Sequence, residues 1–226
     1  VGAVAGSLRD EFDRLAAFEE QDRFRHAGQY LPWLVGQLPP GAREVVEVGC
    51  GAGALTALLA PRVERLLALD LSPAMLAHAR RRCAPWPHVE LRQLDAHDWR
   101  PEPRSLDVVV SVATLHHLDA NAVIPRWAQA LRPGGMLLIL DVLERRGLRY
   151  LPLNGLAAAC SVGLRWLRTG RLRPPAAVRA AWAEHERWDR LVDPAGAREM
   201  ATALLPGATV RHHLFWRYSI RWVAPV

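Results

Sequence analysis

The chain contains no lysine, and all 29 of its basic side chains are arginine. A phosphate-loop lysine, a Schiff-base lysine and the Tyr-x-x-x-Lys pair of many short-chain dehydrogenases are therefore excluded, since each needs an ε-amine. A GC-rich genome is sufficient reason for the bias. Cysteine is scarce too: Cys50, Cys83 and Cys160 are odd in number, far apart and form no C-x-x-C. Neither a disulfide framework nor a thiolate zinc site is expected, and a reducing cytoplasm is the default location. No uncharged apolar run reaches the roughly 18 residues of a spanning helix. Val1 to Ser7 has no basic flank and is too short for a signal peptide. Internal repeats and low-complexity tracts are missing as well.

What is present suits an ordinary soluble globule. Half of the 226 residues are hydrophobic and 23% are charged. A single domain of this size buries roughly 70% of its unfolded surface and needs no metal or disulfide staple. Charge is unevenly placed. Arg145 to Arg179 carries eight arginines and no acid, so the rest sums to −2 against a total of +6. A near-neutral body bearing one basic segment is the result.

The hydrophobic period divides the chain. Ser7 with Asp10 resembles a capping box, and Leu8, Phe12, Leu15 and Phe24 predict a helix over 8–24. A short helix follows over 29–38, completing an N-terminal cap over 1–40. Strands are expected at 44–48, 65–70, 89–94, 106–112 and 136–141, with helices at 54–59, 72–82 and 119–131 between them. This α/β alternation argues for a parallel, doubly wound sheet in a cofactor-binding core over 41–141. A basic helical insert over 145–190 comes next, with helices over 148–173 and 176–191. Two antiparallel strands over 209–216 and 218–224 close the chain.

Gly49, Gly51 and Gly53 lie between a strand and a helix, where a tight turn brings backbone N–H groups to a ligand. Alone this is a weak signal, and Ala54 even completes a dinucleotide fingerprint, so a nicotinamide-dependent oxidoreductase must be weighed. Three carboxylates favour another ligand. Glu47, at the mouth of the turn, would repel a pyrophosphate but attract an ammonium or sulfonium. Asp70 ends the second strand, where an acid can accept both ribose hydroxyls. Asp95 ends the third, where it can accept from an adenine amino group. A cationic amino-acid end, a ribose and an adenine together describe S-adenosylmethionine.

The stretches Val46 to Gly53, Leu69 to Leu76, Leu94-Asp95-Ala96, Ser111 to Leu118 and Leu131 to Gly135 resemble the class I S-adenosylmethionine-dependent methyltransferases, in their small-molecule branch. The resemblance covers about residues 43–141. It implies a Rossmann-like seven-stranded sheet of order 3-2-1-4-5-7-6 with the last strand antiparallel. It also implies that Gly49, Cys50, Gly51 and Gly53 contact the methionine part, Asp70 the ribose, Leu71 and Met75 an adenine face, and Asp95-Ala96 the adenine edge. Ser111 joins these cofactor residues. S-adenosyl-L-homocysteine would be the product. A binding protein or an enzyme of non-methylating chemistry on the same cofactor is the other alternative.

Methyl transfer is an in-line displacement on a carbon already activated by sulfur, so the protein mainly aligns the nucleophile and excludes water. His116 and His117 follow the fourth strand and are the candidate catalytic residues, because a hydroxyl acceptor would have to lose a proton. Adjacent side chains diverge, so at most one is expected to face the substrate; a hydrogen-bonded structural histidine is the competing reading. No metal is expected, since no third ligand is within sequence reach and His212-His213 lies on another element. The Asn-Pro-Pro-Tyr or Asp-Pro-Pro-Tyr of base- and amide-nitrogen methyltransferases is absent here. The expected activity is O-methyl transfer to a hydroxyl or carboxyl group of a small metabolite.

In the insert, Leu153, Leu156, Cys160, Leu164 and Leu167 fall at helical spacing beside Arg149, Arg165 and Arg168. The simplest expectation is a lid helix over 148–175 whose apolar stripe packs on the sheet edge. A pocket for an anionic or lipophilic acceptor and peripheral membrane contact are the functional alternatives. Nucleic acid is not an expected partner, because the tryptophans are not interleaved with the arginines.

Overall fold

A computed structural model of the chain describes residues 2–21 and 24–225. Its centre is a seven-stranded sheet made from β1 (Glu44–Val48), β2 (Arg65–Asp70), β3 (Val89–Gln93), β4 (Leu106–Val112), β5 (Leu131–Val142), β6 (Thr209–His213) and β7 (Arg217–Val223). The order is β3-β2-β1-β4-β5-β7-β6. The first five strands run parallel, and β7 lies antiparallel between β5 and β6. This is the implied order, and the antiparallel hairpin is as expected.

Strand alternation splits the apolar residues between two faces. Val46, Val109, Leu137 and Ile139 point to one, where Val123, Ile124 and Trp127 of α5 (Ala120–Ala130) meet Ala197 and Ala201 of α8 (Pro194–Leu204). Val45, Val108, Val110 and Leu138 point to the other, against Leu31, Leu34 and Val35 of α2 (Leu31–Val35) and Leu59 of α3 (Thr56–Leu59). Each fully buried side chain of this size contributes about 1.5–3 kcal/mol relative to exposure.

Local signals set several helix starts. Ser72 caps α4 (Pro73–Cys83), its hydroxyl accepting from the Met75 N–H at 3.0 Å. Asp119 caps α5 through the Asn121 N–H. Asp193 caps α8 through the Gly196 N–H. Other bounds depart from the sequence reading. α1 (Gly2–Ala16) places Ser7 inside the helix rather than at its cap, and ends eight residues before Phe24. The 29–38 helix is a 3₁₀ turn followed by the short α2. The insert forms α6 (Leu151–Thr169) and α7 (Ala176–His185), and α8 was not foreseen at all.

The largest departure is the face by which α6 docks. Leu156 and Leu167 of the expected stripe are 55% and 72% exposed, whereas Ala157 is fully buried. The docked face is Asn154, Ala157, Ser161 and Arg165. Asn154 accepts from the Trp216 indole N–H at 3.1 Å, Ser161 Oγ lies 2.7 Å from His26 Nε2, and the Arg165 guanidinium sits over the Phe24 ring. Small and polar residues let the helix approach aromatic partners closely, so Leu156 and Leu167 are left facing outward while Cys160 and Leu164 stay half-buried. No described helix is long and apolar enough to cross a membrane.

Candidate active site

The carboxyl ends of β1, β2, β4 and β5 open onto one cleft of about 2280 Å³, roofed by the insert. Such a cleft belongs where strand order reverses, here between β1 and β4.

One half is built by the glycine turn. The Gly49 and Cys50 N–H groups both donate to the Leu69 carbonyl, at 2.8 and 2.9 Å, which folds the chain back sharply after β1. Gly49 has φ +76°, and a Cβ there would lie 2.0 Å from Thr114 Oγ1; Gly53, also at φ +76°, backs onto Ala79 instead of the cleft. Asp70 is held by two backbone donors, Gly51 N–H on Oδ2 at 2.6 Å and Ser72 N–H on Oδ1 at 2.9 Å. Burial pushes its carboxyl up to about 6 despite those bonds. Glu47 is buried at the floor and accepts from the Thr56 hydroxyl at 2.6 Å. Burial raises it to about 8, and the nearby Asp70 charge adds to the rise. Leu71, Met75 and Ala96 line the same half. Asp95 lines it too, its Oδ1 accepting from both the N–H and the Nδ1 of His97.

Ser111 lies behind this wall. It is buried and donates to the Val48 carbonyl at 3.1 Å, and the surface there is formed by Val112, Ala113 and Thr114. Ser111 therefore ties β4 to β1, and a direct cofactor contact does not follow from its position.

The other half contains the histidines. A 3₁₀ turn over Leu115–His117 turns both His116 and His117 into the cleft wall, with ring centroids 3.9 Å apart. Both rings reach the wall because a 3₁₀ turn does not alternate side chains as a strand does. Asp141, at the end of β5, accepts from the His116 N–H at 2.9 Å and from its Nδ1 at 2.5 Å. Burial alone would lower His116 and raise Asp141; their pairing overcomes it, so His116 is raised and Asp141 lowered.

The insert brings two further groups. The Arg190 N–H donates to the His116 carbonyl, fastening the segment after α7 to the histidine turn. His185 and Asp189 thereby reach the pair. Burial lowers His117 to about 3 and His185 to about 4, so both imidazoles are neutral, and it raises Asp189. Phe12 of α1 packs edge-on against both rings, at 5.3 and 5.0 Å. Arg217 is half-buried at the start of β7 and its Nε has no hydrogen-bond partner. Arg25, Arg145, Arg165 and Arg168 also line the cleft, together with Glu19, Glu144, Glu186 and Asp189. His212 and His213 lie away from it, His213 bonding Ser219 and packing on Tyr30.

Asp141, His185, Asp189, Arg217 and Thr114 were not singled out in the sequence. A carboxylate ending a buried apolar strand, and a His-x-x-x-Asp spacing at the end of a helix, are the signals that were available.

A family model described as a methyltransferase domain matches residues 45–135. An uncharacterized methyltransferase of Mycobacterium bovis is 31% identical over 205 residues, covering 87% of this chain and 95% of that protein. The trans-aconitate 2-methyltransferase of Streptomyces coelicolor is 35% identical over 127 residues, 51% of this chain and 42% of that one. In fold the chain is similar to a Haemonchus contortus phosphoethanolamine N-methyltransferase solved with phosphomonomethylethanolamine and S-adenosylhomocysteine, with TM-score 0.69 and 17% identity over 97% of this chain and 60% of that one.

Proposed function

The chain belongs to the class I S-adenosylmethionine-dependent methyltransferases, and from that premise we propose that it methylates an oxygen atom of a small organic acid. S-adenosylmethionine is its methyl donor. The observation that carries the acceptor reading is the contrast between the two halves of the cleft. Glu47 and Asp70 stand at the glycine turn, whereas the half-buried Arg217 stands beside the histidines and Arg25, Arg145, Arg165 and Arg168 line the cleft with Glu19, Glu144 and Glu186 among them. A cationic sulfonium suits the first half and an anionic acceptor the second. The curated trans-aconitate methyltransferases, whose acceptor is an organic acid, are consistent with this.

The reaction forms one bond from acceptor oxygen to methyl carbon and breaks the bond from that carbon to sulfur, releasing S-adenosylhomocysteine. Glu47, Asp70, Asp95 and the Gly49–Gly51 turn hold the donor, Leu71, Met75 and Ala96 enclose its adenine, and the insert excludes water. A carboxylate acceptor arrives already ionised. A hydroxyl does not, and the polar cluster around His116 and His117 is what faces it.

The test is a panel of di- and tricarboxylic acids, hydroxy acids and matched amines, incubated with S-adenosylmethionine labelled in its methyl group. Label in an acid, recovered as an alkali-labile ester or an alkali-stable ether, supports the reading and tells carboxylate from hydroxyl. Label found only in amines would overturn it.

A further inference from the structure

We propose that His116, His117 and Asp189 bind a divalent first-row transition-metal ion at the acceptor end of the cleft, with His185 beside them as a further imidazole. The inference rests on the reading of that end as the acceptor site only for what the ion would do, not for its binding.

Asp189 Oδ1 lies 3.5 Å from His116 Nε2, 3.9 Å from His117 Nε2 and 3.9 Å from His185 Nε2. Three imidazoles thus converge on one carboxylate oxygen without a hydrogen bond to it, and that oxygen is buried with no partner. The ligand atoms of His116, His117 and Asp189 all lie within 4.8 Å of one another. A tetrahedral ion with bonds of about 2.0–2.1 Å sets its ligand atoms about 3.4 Å apart, so the observed spacing needs only a small contraction.

Orientation agrees with spacing. His116 directs Nδ1 to Asp141 at 2.5 Å, which turns Nε2 toward Asp189. A carboxylate behind a histidine ligand, fixing its tautomer, is the usual outer shell of a metal site. Without a proton or an ion between them, the Nε2 lone pair and the Asp189 oxygen would face each other as two acceptors. His117 Nδ1 and His185 Nδ1 also have no hydrogen-bond partner, whereas the Trp188 backbone bonds the His117 ring. Two carboxylates, Asp141 and Asp189, balance a doubly charged ion. Arg217 nearby leaves the cluster net positive, which suits an anionic acceptor.

Imidazoles with one carboxylate select ions of the Zn²⁺, Co²⁺ and Fe²⁺ kind over Mg²⁺ or Ca²⁺. Coordination positions left open toward the cleft would take an acceptor oxygen. For a hydroxyl, coordination releases its proton to solvent and leaves the oxygen as the nucleophile.

The test uses chelator-treated full-length protein titrated with Co²⁺ and, separately, Zn²⁺, followed by visible absorption and calorimetry. One ion per chain is expected, with visible d–d bands of a nitrogen–oxygen site. Asp189→Asn and His117→Gln should abolish the bands, and Asp141→Asn should weaken binding about 10–100-fold. S-adenosylhomocysteine binding reports whether each variant is folded. Should Asp189→Asn fail that check, His185→Gln and His117→Gln take its place. No bands and no heat in the wild type, or equal binding by folded Asp189→Asn and His117→Gln variants, would overturn the proposal. Labelled acids formed without any metal binding would also overturn it while leaving the acceptor reading standing. Metal binding without methylated acids would support it and overturn that reading.

Discussion

Gly49 and Thr114 meet where β1 and β4 diverge: the Thr114 hydroxyl lies 3.4 Å from the Gly49 carbonyl, and a Cβ on Gly49 would sit 2.0 Å from Thr114 Oγ1. The turn that shapes the donor half of the cleft and the strand end that leads to His116 are therefore one packed unit. Gly49→Ala must displace Thr114 and adopt an unfavourable positive φ. Overpacking of this kind costs about 1–3 kcal/mol. Calorimetry should show S-adenosylhomocysteine bound at least several-fold more weakly, with part of the loss recovered in Gly49→Ala/Thr114→Gly.

Asp70 is positioned by the Gly51 and Ser72 N–H groups before any ligand arrives. Asp70→Ala should weaken both S-adenosylmethionine and its product by about 1.5–3 kcal/mol, the worth of hydrogen bonds to a charged acceptor. Unchanged affinity in calorimetry would rule out the ribose contact, and unchanged affinity in Asp95→Ala would rule out the adenine one.

Glu47 makes folding stability depend on pH in a direction opposite to that of most surface acids. Burial raises its folded value from 4.5 to about 8, so the folded protein holds a proton that the unfolded chain releases. Its contribution is full below pH 4.5 and is lost as pH rises, at up to about 1.4 kcal/mol per pH unit, until about pH 8. Glu47→Gln keeps the Thr56 bond without the charge. The unliganded variant should therefore show a smaller fall in Tm from pH 6 to pH 8.5 than the wild type. The same substitution should weaken S-adenosylmethionine, whose positive end the carboxylate faces. Parallel Tm profiles would show that Glu47 does not carry this proton.

The docking of α6 separates two expectations. Leu156→Ala and Leu167→Ala lie on its outer face and should change stability by no more than about 0.5 kcal/mol. Ala157→Leu must push the helix away from its seat, and Asn154→Ala removes the bond to Trp216. Both should raise amide exchange across 151–169. If residues 151–169 are as protected as β4 and β5 in the free enzyme and gain nothing with an acceptor, the helix is a fixed cap and not a lid.

Local signals carried far along the core. Ser72 and Asp119 cap the helices that their side chains predicted, because a cap is an interaction among residues two or three apart. β4 has its expected bounds, Leu106–Val112, since a buried central strand is apolar on both faces. α6 was misjudged in a telling way. Helical spacing shows which residues share a face, but not which face meets the protein. Ala157 and Ser161 won over the leucines because Phe24, His26 and Trp216 were waiting across a short gap.

The sequence by itself determined the strands and the glycine turn, because each depends on residues near one another in the chain and on a strand period of two, whereas the order in which the strands pair was implied only by the family resemblance. The acceptor half was a tertiary decision. His116 and Asp141 stand 25 residues apart on different elements, and Asp189 arrives at the end of the insert, which the Arg190–His116 backbone bond fastens to the histidine turn. No local periodicity encodes that meeting. Burial then gives neighbouring histidines opposite charge preferences, since His116 gains a carboxylate partner and His117 loses water without one.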